Sequence, residues 1–167
     1  MSKFRALMLA LFAVPVAAVA LPTAASAQFN ESYKFLEAVR KKDGNEVTKL
    51  LDDGGPNLIN TRDYTSGESA LHIVTNKRDL TWMRFLVAKG ANVNTRDAKG
   101  VTPLVASVNF NFVEGAEFLI GQGARLDESN NAGETPLITA VHNRNLDMMR
   151  ILLTAGADPD RADNSGR

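Results

Sequence analysis

Apolar residues recur along the chain in short helical groups that are separated by polar, glycine-containing turns. In the segments Leu80–Lys89, Phe112–Gln122 and Leu146–Ala155, apolar positions fall three or four residues apart, which is the spacing of one face of an α-helix. A shorter apolar group precedes the last two segments, at 104–110 and 137–143. The pattern therefore predicts pairs made of a short helix and a longer one.

Two series of glycines recur at an interval of 33 residues. The first series is Gly67, Gly100, Gly133 and Gly166, and the second is Gly90, Gly123 and Gly156. The first series opens Gly-Glu-Ser-Ala-Leu-His at 67–72, Gly-Val-Thr-Pro-Leu at 100–104 and Gly-Glu-Thr-Pro-Leu at 133–137. The second lies in Phe-Leu-Val-Ala-Lys-Gly-Ala at 85–91, Phe-Leu-Ile-Gly-Gln-Gly-Ala at 118–124 and Ile-Leu-Leu-Thr-Ala-Gly-Ala at 151–157. Two motifs that recur in register indicate a repeated structural unit.

The motif residues have direct physical roles. Thr102 and Thr135 can each cap a helix through the hydroxyl, and the proline that follows each threonine suits the first helical position, where a missing N–H costs nothing. The glycines of the second series suit the left-handed conformation that ends a helix. Polar segments such as 92–100 are rich in turn-forming residues, so we expect them to project as β-hairpin fingers.

A 33-residue period with Gly-x-Thr-Pro-Leu and Leu-Leu-x-x-Gly-Ala motifs resembles the ankyrin repeat. The resemblance covers residues 28–167 and implies an all-α ankyrin-repeat solenoid of helix–turn–helix units with β-hairpin fingers. It places full repeats at 64–96, 97–129 and 130–162. It also implies recognition of another protein on the concave side of the solenoid.

The two ends of the repeat region depart from this pattern. Residues 28–63 have no Thr-Pro-Leu motif and no preceding finger, but Tyr33, Leu36 and Val39 fall at helical spacing, so we predict an N-terminal capping repeat. Residues 163–167 restart the finger motif. A terminal repeat normally caps the apolar face of its neighbour. We therefore hypothesise that one further helix pair is missing here, or that the last apolar face meets a partner.

Between the two helices of a repeat, three residues depart from the ankyrin pattern. Arg78, Asn111 and Arg144 stand where a glycine is usual. Asparagine tolerates a left-handed turn, whereas arginine adopts one at some energetic cost. We therefore expect a left-handed backbone with local strain at the two arginines.

Another repeat position combines residues of very different size. Trp82, Gly115 and Met148 are 33 residues apart and are expected to stack as neighbours. One hypothesis is that Gly115 leaves room for the Trp82 indole, which offsets the roughly 1 kcal/mol that glycine costs in a helix interior. The alternative is a locally weak helix, to which Gly121 also contributes.

The first residues have the layout of a secretory signal peptide. A positively charged start and the uncharged run Ala6–Ala20 precede Ala25-Ser26-Ala27, which matches the small-residue cleavage site. We therefore predict that residues 1–27 are a signal peptide, with cleavage between Ala27 and Gln28. A membrane anchor is the alternative, but the apolar run is short for a spanning helix and contains Pro15. The alanine-rich core indicates a bacterial protein that is exported to the periplasm.

Composition narrows the classes of function. The chain has 19 basic and 19 acidic side chains, and this balance disfavours a dedicated nucleic-acid binder. It has no cysteine, which excludes thiolate catalysis and disulfides. No metalloprotease, serine-hydrolase, phosphate-loop or calcium-loop motif occurs in the sequence. We therefore predict a non-enzymatic protein without cofactor or metal, which is a monomer unless its last apolar face pairs.

Two histidines are the remaining candidates for chemistry. His72 takes the last place of the Thr-Pro-Leu-His slot, where the resemblance implies a structural histidine that hydrogen-bonds between neighbouring loops. In the next two repeats Val105 and Ile138 replace this histidine, so inter-repeat hydrogen bonding should be weaker there. His142 lies near the end of a short helix two repeats away, so we do not expect the two histidines to share a metal ion.

The resemblance places the binding surface on the finger tips and on the exposed side of the short helices. Carried over by position, this concave face consists of Tyr64, Thr65, Ser66, Glu68, Asn76, Lys77, Ala98, Lys99, Val101, Asn109, Phe110, Asn131, Ala132, Glu134, His142 and Asn143. Tyr64 and Phe110 stand out because aromatic side chains dominate the hot spots of interfaces. Phe110 is equally expected to fold into the core beside Phe112.

The favoured function is non-catalytic docking to a periplasmic protein through this concave face. A second hypothesis is that the chain protects or inhibits one periplasmic enzyme. A hydrolase is disfavoured, because no nucleophile, base and orienting group occur together in the sequence.

Overall fold

Eight α-helices in four helix–turn–helix pairs form the part of the chain that the structure describes. The structure, a computed structural model, describes residues 24–166, and residues 24–29 by their backbone alone. The helices are α1 (Ala24–Lys41), α2 (Gly44–Gly54), α3 (Ala70–Asn76), α4 (Leu80–Ala88), α5 (Pro103–Asn109), α6 (Val113–Gly121), α7 (Pro136–His142) and α8 (Leu146–Ala155). A short 3-10 helix, Leu58–Asn60, follows α2.

Most of the predicted signal peptide, residues 1–23, lies outside the described residues. The predicted cleavage point between Ala27 and Gln28 falls within the backbone of α1. No helix between residues 24 and 166 combines the length and the apolar character that crossing a membrane requires. The predicted repeat boundaries after residues 63, 96 and 129 fall in loops between helix pairs, and the boundary after residue 162 falls in the segment that follows α8.

Helix starts follow the capping residues. The hydroxyls of Thr102 and Thr135 accept hydrogen bonds from backbone N–H groups three residues later, and a proline opens each helix. Ser69 caps α3 in the same way, although the proline is missing there. Helix α6 begins at Val113 rather than at Phe112, because Phe112 itself takes the capping position without a side-chain hydrogen bond. The predicted helix pairs are thus confirmed to within a residue or two.

Each helix pair stacks on the pair before it and buries the apolar side of that pair. The short helices α3, α5 and α7 pack in a row, and the longer helices α4, α6 and α8 form a second row behind them. Side chains such as Leu71, Leu104, Leu119 and Leu152 are at most 1% exposed. They belong to one continuous core that runs from Phe35 to the last pair. This arrangement is the all-α solenoid that the repeat pattern predicts.

The fingers are tight hairpin turns rather than paired strands. Backbone hydrogen bonds close the turn of each finger, for example from Asp97 N to the carbonyl oxygen of Val101 at 2.9 Å and from Gly100 N to that of Asp97 at 3.1 Å. Within the described residues the sole isolated β-bridge joins Arg62 and Ser69. An Asp or Asn side chain at the start of each finger accepts hydrogen bonds from N–H groups inside the turn, as Asp97 does from Lys99 and Val101 at 2.8 Å. These side-chain bonds take the place of a strand ladder.

Between the two helices of each pair the backbone is left-handed at a residue that is not glycine. The φ angles are +53° at Arg78, +49° at Asn111 and +52° at Arg144, as predicted, and Lys42 has +59° in the first pair. A side chain with a Cβ pays about 1–2 kcal/mol for this conformation. The Arg78 guanidinium recovers part of this cost by lying 5.9 Å above the Phe112 ring centre.

The space beside Gly115 belongs to Phe112 and not to Trp82, so the packing hypothesis for Trp82 is wrong. A Cβ on Gly115 would lie 2.9 Å from Cγ of the Phe112 ring and closer still to two further ring atoms. Phe112 is 4% exposed, so its ring has little room to move. The Trp82 indole instead packs edge-on against Phe85 in its own helix, with ring centres 5.3 Å apart. Gly115 is therefore needed because an aromatic ring one turn earlier folds back over it.

We expect Gly115→Ala to destabilise the protein by about 1–2 kcal/mol, because overpacking against the ring outweighs the roughly 1 kcal/mol gain in helix propensity. Gly121→Ala in the same helix is the matched control, since a Cβ there meets open space. The control should leave stability unchanged or raise it slightly. Urea unfolding followed by circular dichroism measures both variants, and a more stable Gly115→Ala protein would contradict the packing argument.

We expect Arg144→Gly to stabilise the protein by about 0.5–1 kcal/mol, since relief of the left-handed strain exceeds the entropy that glycine adds to the unfolded chain. Arg78→Gly should stabilise the protein less than Arg144→Gly does, because it also removes the contact of the Arg78 guanidinium with the Phe112 ring. The measurement is the denaturant midpoint of each variant. Equal gains at both positions would show that the ring contact contributes nothing.

Candidate protein-binding surface

A ladder of backbone hydrogen bonds holds neighbouring fingers together. Ala98 N donates to the carbonyl oxygen of Ser66 at 3.0 Å, and Asn131 N donates to that of Lys99 at 2.9 Å. In the same way, Asn164 N donates to the carbonyl oxygen of Ala132 at 3.2 Å. The same bond therefore recurs at each junction between fingers, and the finger tips form a row with fixed spacing.

Side chains and glycines reinforce this ladder. Asn131 Nδ2 donates to the carbonyl oxygen of Ala98 at 3.1 Å, and Asn164 Nδ2 donates to that of Asn131 at 3.2 Å. Gly133 has φ +82°, and a Cβ on it would lie 2.6 Å from Asn164 N. Gly67, Gly100 and Gly133 are thus required both for the left-handed turn and for the close approach of the next finger. Asn131, predicted as a binding residue, also serves to hold the row.

The first finger is also anchored to the N-terminal helix pair. Asp63 lies at its base, and its carboxylate accepts hydrogen bonds from the backbone N–H groups of Ser66 and Thr65 at 3.1 and 3.0 Å. Arg40 of α1 donates to the other oxygen at 2.9 Å. These donors, with the Ser66 N–H contributing most, lower the pKa of Asp63 to about 2. Asp63 is therefore a charged structural anchor at neutral pH.

His72 joins α3 to the next finger. Its Nε2 lies 2.9 Å from the carbonyl oxygen of Val101, and its Nδ1 accepts a hydrogen bond from Ser69 N at 3.2 Å. Because a carbonyl can only accept, Nε2 carries the hydrogen. Because Nδ1 accepts from an N–H group, it carries none, and the ring is therefore neutral. The side chain is 1% exposed. The structure thus confirms the predicted inter-loop hydrogen bond of His72.

Two short helices are tied to their own fingers by a polar pair. Asn76 Nδ2 donates to a Glu68 carboxylate oxygen at 2.8 Å, and His142 Nδ1 lies 3.0 Å from a Glu134 carboxylate oxygen. The middle repeat has Val101 and Asn109 at the equivalent positions. The concave face therefore has an acidic group at each end, held by a partner, and an apolar side chain between them.

Every residue of the predicted concave face is at least partly exposed. Those classed as exposed are Tyr64, Thr65, Lys77, Ala98, Lys99, Asn109, Phe110, Asn131, Ala132, His142 and Asn143. The half-buried ones are Ser66, Glu68, Asn76, Val101 and Glu134. Lys77 also donates from Nζ to the carbonyl oxygen of Arg40 at 2.6 Å, so its side chain holds the first short helix against α1.

The structure decides between the two predictions for Phe110. Phe110 is 46% exposed at the C-terminal end of α5, whereas Phe112 is 4% exposed. Asn111, with its left-handed backbone, stands between them, and the two rings are therefore directed to different sides of the turn. Phe110 belongs to the surface, and the alternative of a core position is wrong.

Sequence reasoning missed one aromatic residue of the surface. Tyr33 shares helical spacing with Leu36 and Val39, but its side chain is 57% exposed, whereas theirs are buried. Tyr33 and Tyr64, which is 87% exposed, both line a hollow of about 280 Å³ between α1 and the first finger. The hollow is also lined by Leu36, Arg62, Ser32, Asp63 and Thr65. Helical periodicity alone did not separate Tyr33 from the core, because a tyrosine fits either environment.

No group of three or more histidine, aspartate or glutamate side chains within residues 24–166 has the geometry to hold a metal ion. His72 and His142, which lie in different repeats, are each engaged in the structural contacts described above.

Comparison with known protein families supports the architecture. A family model described as ankyrin repeats in three copies matches residues 35–130, which is more than half of the chain. A second model, described as ankyrin repeats in many copies, matches residues 119–167. The chain belongs to the ankyrin-repeat family. Ankyrin repeats imply a protein–protein interaction module.

Individual relatives share part of the ankyrin region. Protein PhlB of Serratia liquefaciens is 39% identical over 72 residues, which are 42% of this chain and 30% of that protein. Diacylglycerol kinase iota of the mouse is 35% identical over 66 residues, 40% of this chain and 6% of the kinase. A putative ankyrin repeat protein of fowlpox virus is 40% identical over 58 residues, 35% of this chain and 14% of that protein. The matched ankyrin segments thus span less than a third of each of these relatives.

We expect the ankyrin solenoid to lose stability as the pH falls from 6.5 to 5, because of His72. Burial, the largest cause, lowers the pKa of His72 and outweighs the hydrogen bond to Val101 and the nearby Asp97 and Glu68, which raise it. The unfolded chain therefore binds a proton at a higher pH than the folded one does. Stability is fully present above pH 6.5 and falls below it, by at most about 1.4 kcal/mol per pH unit.

Urea unfolding at pH 7.5, 6.5, 5.8 and 5.2 checks this expectation. His72→Val is the matched variant, since valine already fills this slot at Val105 in the next repeat and is fully buried there. The free energy of unfolding of the variant should fall less between pH 6.5 and 5.2 than that of the unaltered chain. The same pH profile in both proteins would rule out His72 as the cause.

Proposed function

We propose that this ankyrin-repeat protein is exported to the periplasm and binds one protein partner through its concave face, without catalysis. The observation that carries the binding proposal is the exposure of Tyr64 and Phe110 on a surface whose backbone is held by hydrogen bonds from repeat to repeat. Large exposed aromatic side chains on a rigid scaffold are typical of binding hot spots.

Rigidity supports the proposal because ordering of loops is one of the costs of association. The finger ladder, the Asp63 anchor and the His72 bond all exist before any partner arrives. A partner therefore meets finger tips that already have their final spacing. The ordering cost at this surface is small, and more of the contact energy appears as affinity.

The surroundings of the aromatic residues suit a mixed polar and apolar partner. The Glu68 and Glu134 carboxylates accept hydrogen bonds from Asn76 and His142, and each is half-buried. Val101 lies between them in the middle repeat. Polar rims around a few apolar anchors are the usual anatomy of a specific protein interface.

The export part of the proposal rests on the sequence of residues 1–27. The uncharged run and the Ala25-Ser26-Ala27 site support cleavage before Gln28. A chain without cysteine needs no thiol protection in an oxidising compartment, so it is compatible with the periplasm. Intact-mass measurement of the protein recovered from a bacterial periplasmic fraction tests the proposal, because the mass of residues 28–167 supports it and the mass of the whole sequence contradicts it.

We expect Tyr64→Ala together with Phe110→Ala to weaken partner binding by at least tenfold, since each truncation removes a candidate hot spot. The measurement is cross-linking capture from a periplasmic extract, followed by mass spectrometry and by titration of the identified partner. Arg150→Ala is the control, because Arg150 is exposed on α8 and is not one of the concave-face residues.

Unchanged capture by the double variant would reject Tyr64 and Phe110 as the binding residues. Loss of capture with Arg150→Ala but not with the double variant would move the interface away from the concave face. If the captured partner is an enzyme whose rate falls when the chain binds, the function is inhibition. If its rate is unchanged but it resists proteolysis, the function is protection.

A further inference from the structure

The chain has two tyrosines, and both line the hollow of about 280 Å³ between α1 and the first finger. Tyr33 lies on α1 and is 57% exposed, and Tyr64 lies in the finger and is 87% exposed. Leu36, which is 2% exposed, lines the same hollow. Two aromatic rings and an apolar wall therefore meet at one place, which we call the tyrosine hollow.

The length of α1 shapes the tyrosine hollow. Helices α3, α5 and α7 each begin eight residues before the left-handed residue that follows them, as α3 does at Ala70 before Arg78, whereas α1 begins eighteen residues before Lys42. Tyr33 consequently takes the place that Ser69, the capping residue, has in the α3 pair. Ser69 is buried where α3 gives way to its finger, but α1 continues there as a helix and leaves Tyr33 exposed.

The hydrogen-bond acceptors in the wall of the tyrosine hollow are already engaged. The Asp63 carboxylate accepts from the Arg40 guanidinium and from two backbone N–H groups of the finger. Ser32 Oγ accepts from the Thr61 hydroxyl at 2.7 Å. An occupant that brings many N–H groups would therefore find few acceptors for them.

Hydrogen-bond donors, in contrast, remain available at the rim. The Tyr33 side chain is exposed and carries an O–H group, and the Ser32 hydroxyl keeps its own hydrogen while it accepts from Thr61. The Arg62 guanidinium gives Nη1 to the carbonyl oxygen of Arg96 at 3.0 Å and carries further N–H groups. The tyrosine hollow thus suits an occupant that is rich in carbonyl oxygens and poor in N–H groups.

The charges in the wall of the tyrosine hollow balance one another. Arg62 and Asp63 are the charged residues that line it, and Asp63 is paired with Arg40 of α1. A cationic occupant would face the two guanidinium groups, and an anionic occupant would face the Asp63 carboxylate. An uncharged occupant avoids both repulsions.

We propose that the tyrosine hollow binds a proline-rich segment of the protein partner, in the polyproline II conformation. Prolines have carbonyl oxygens but no N–H group, carry no charge, and dock their rings into grooves lined by aromatic side chains. The volume lies at the small end of the roughly 300–1,000 Å³ range of ligand pockets, so it suits a short stretch of such a segment.

The proline-rich ligand rests on the proposed concave-face function and states the chemistry of the partner at one end of that face. Tyr64 and Thr65 belong to the concave face as predicted, and Tyr33 extends it onto α1. A ligand that is already extended in solution also loses little conformational freedom when it binds.

Fluorine NMR of the full chain labelled with 3-fluorotyrosine tests the proposal, because the two tyrosines give two signals that both report on the tyrosine hollow. The probe is a peptide of ten prolines, and a glycine–serine peptide of the same length is the control ligand. We expect both signals to shift and saturate with the proline peptide, and the control to bind at least tenfold more weakly. Signals that do not shift, equal binding of the two peptides, or tighter binding of a ten-lysine peptide would each overturn the proposal.

Substitutions on α1 locate the binding. Tyr33→Ala should weaken binding of the proline peptide at least tenfold, and Tyr33→Phe should weaken it less, because the ring remains and only the hydroxyl is lost. Lys34→Ala is the matched control, since Lys34 is also exposed on α1 but does not line the tyrosine hollow. Circular dichroism checks that each variant is folded. Unchanged affinity in Tyr33→Ala, or an equal loss in Lys34→Ala, would contradict the assignment of the site.

Phe110→Ala separates this proposal from the concave-face function. Phe110 does not line the tyrosine hollow, so this variant should bind the proline peptide as the unaltered chain does. If partner capture depends on Tyr64 and Phe110 but the proline peptide does not bind, the docking function stands and the proline-rich ligand is wrong. If the peptide binds but the double variant captures the partner unchanged, the tyrosine hollow stands as a proline site and the proposed docking residues are wrong.

Discussion

A single helix pair of this chain cannot bury its own apolar side, and the rest of the structure follows from that constraint. The short helices α3, α5 and α7 have seven residues each, which is well below the length at which an isolated helix is stable in water. They persist because each pair covers the one before it. The 33-residue interval, the finger ladder and the glycines that admit the next finger are all means of keeping this stacking in register.

The sequence predicts well wherever a residue acts through its own backbone or its nearest neighbours. The caps at Thr102 and Thr135 and the left-handed turns at Arg78 and Arg144 belong to this class, and all are present in the structure. It predicts poorly where a side chain has a choice of direction. Whether the Phe112 ring lies over Gly115, and whether Tyr33 is covered, depends on the three-dimensional neighbourhood.

The candidate surface shows the same division. Equivalence between repeats was sufficient to predict which positions are exposed, because a solenoid presents the same position to solvent in every unit. It was not sufficient to predict how exposed side chains pair with one another. Glu134 and His142 are eight residues apart, on a finger and a helix, and their contact depends on how the finger leans towards that helix. The fate of two nearby phenylalanines, 110 and 112, was likewise decided by a turn between them.

The terminal helix pairs of the described region differ from the inner pairs. Inner pairs are held by a neighbour on both sides, whereas α1 with α2 and α7 with α8 each have a stacked pair on one side within the described residues. Within this stretch of the chain, local opening costs least at a pair with a single neighbour, so partial fraying there precedes global unfolding. Such fraying exposes backbone to proteases before the inner pairs open.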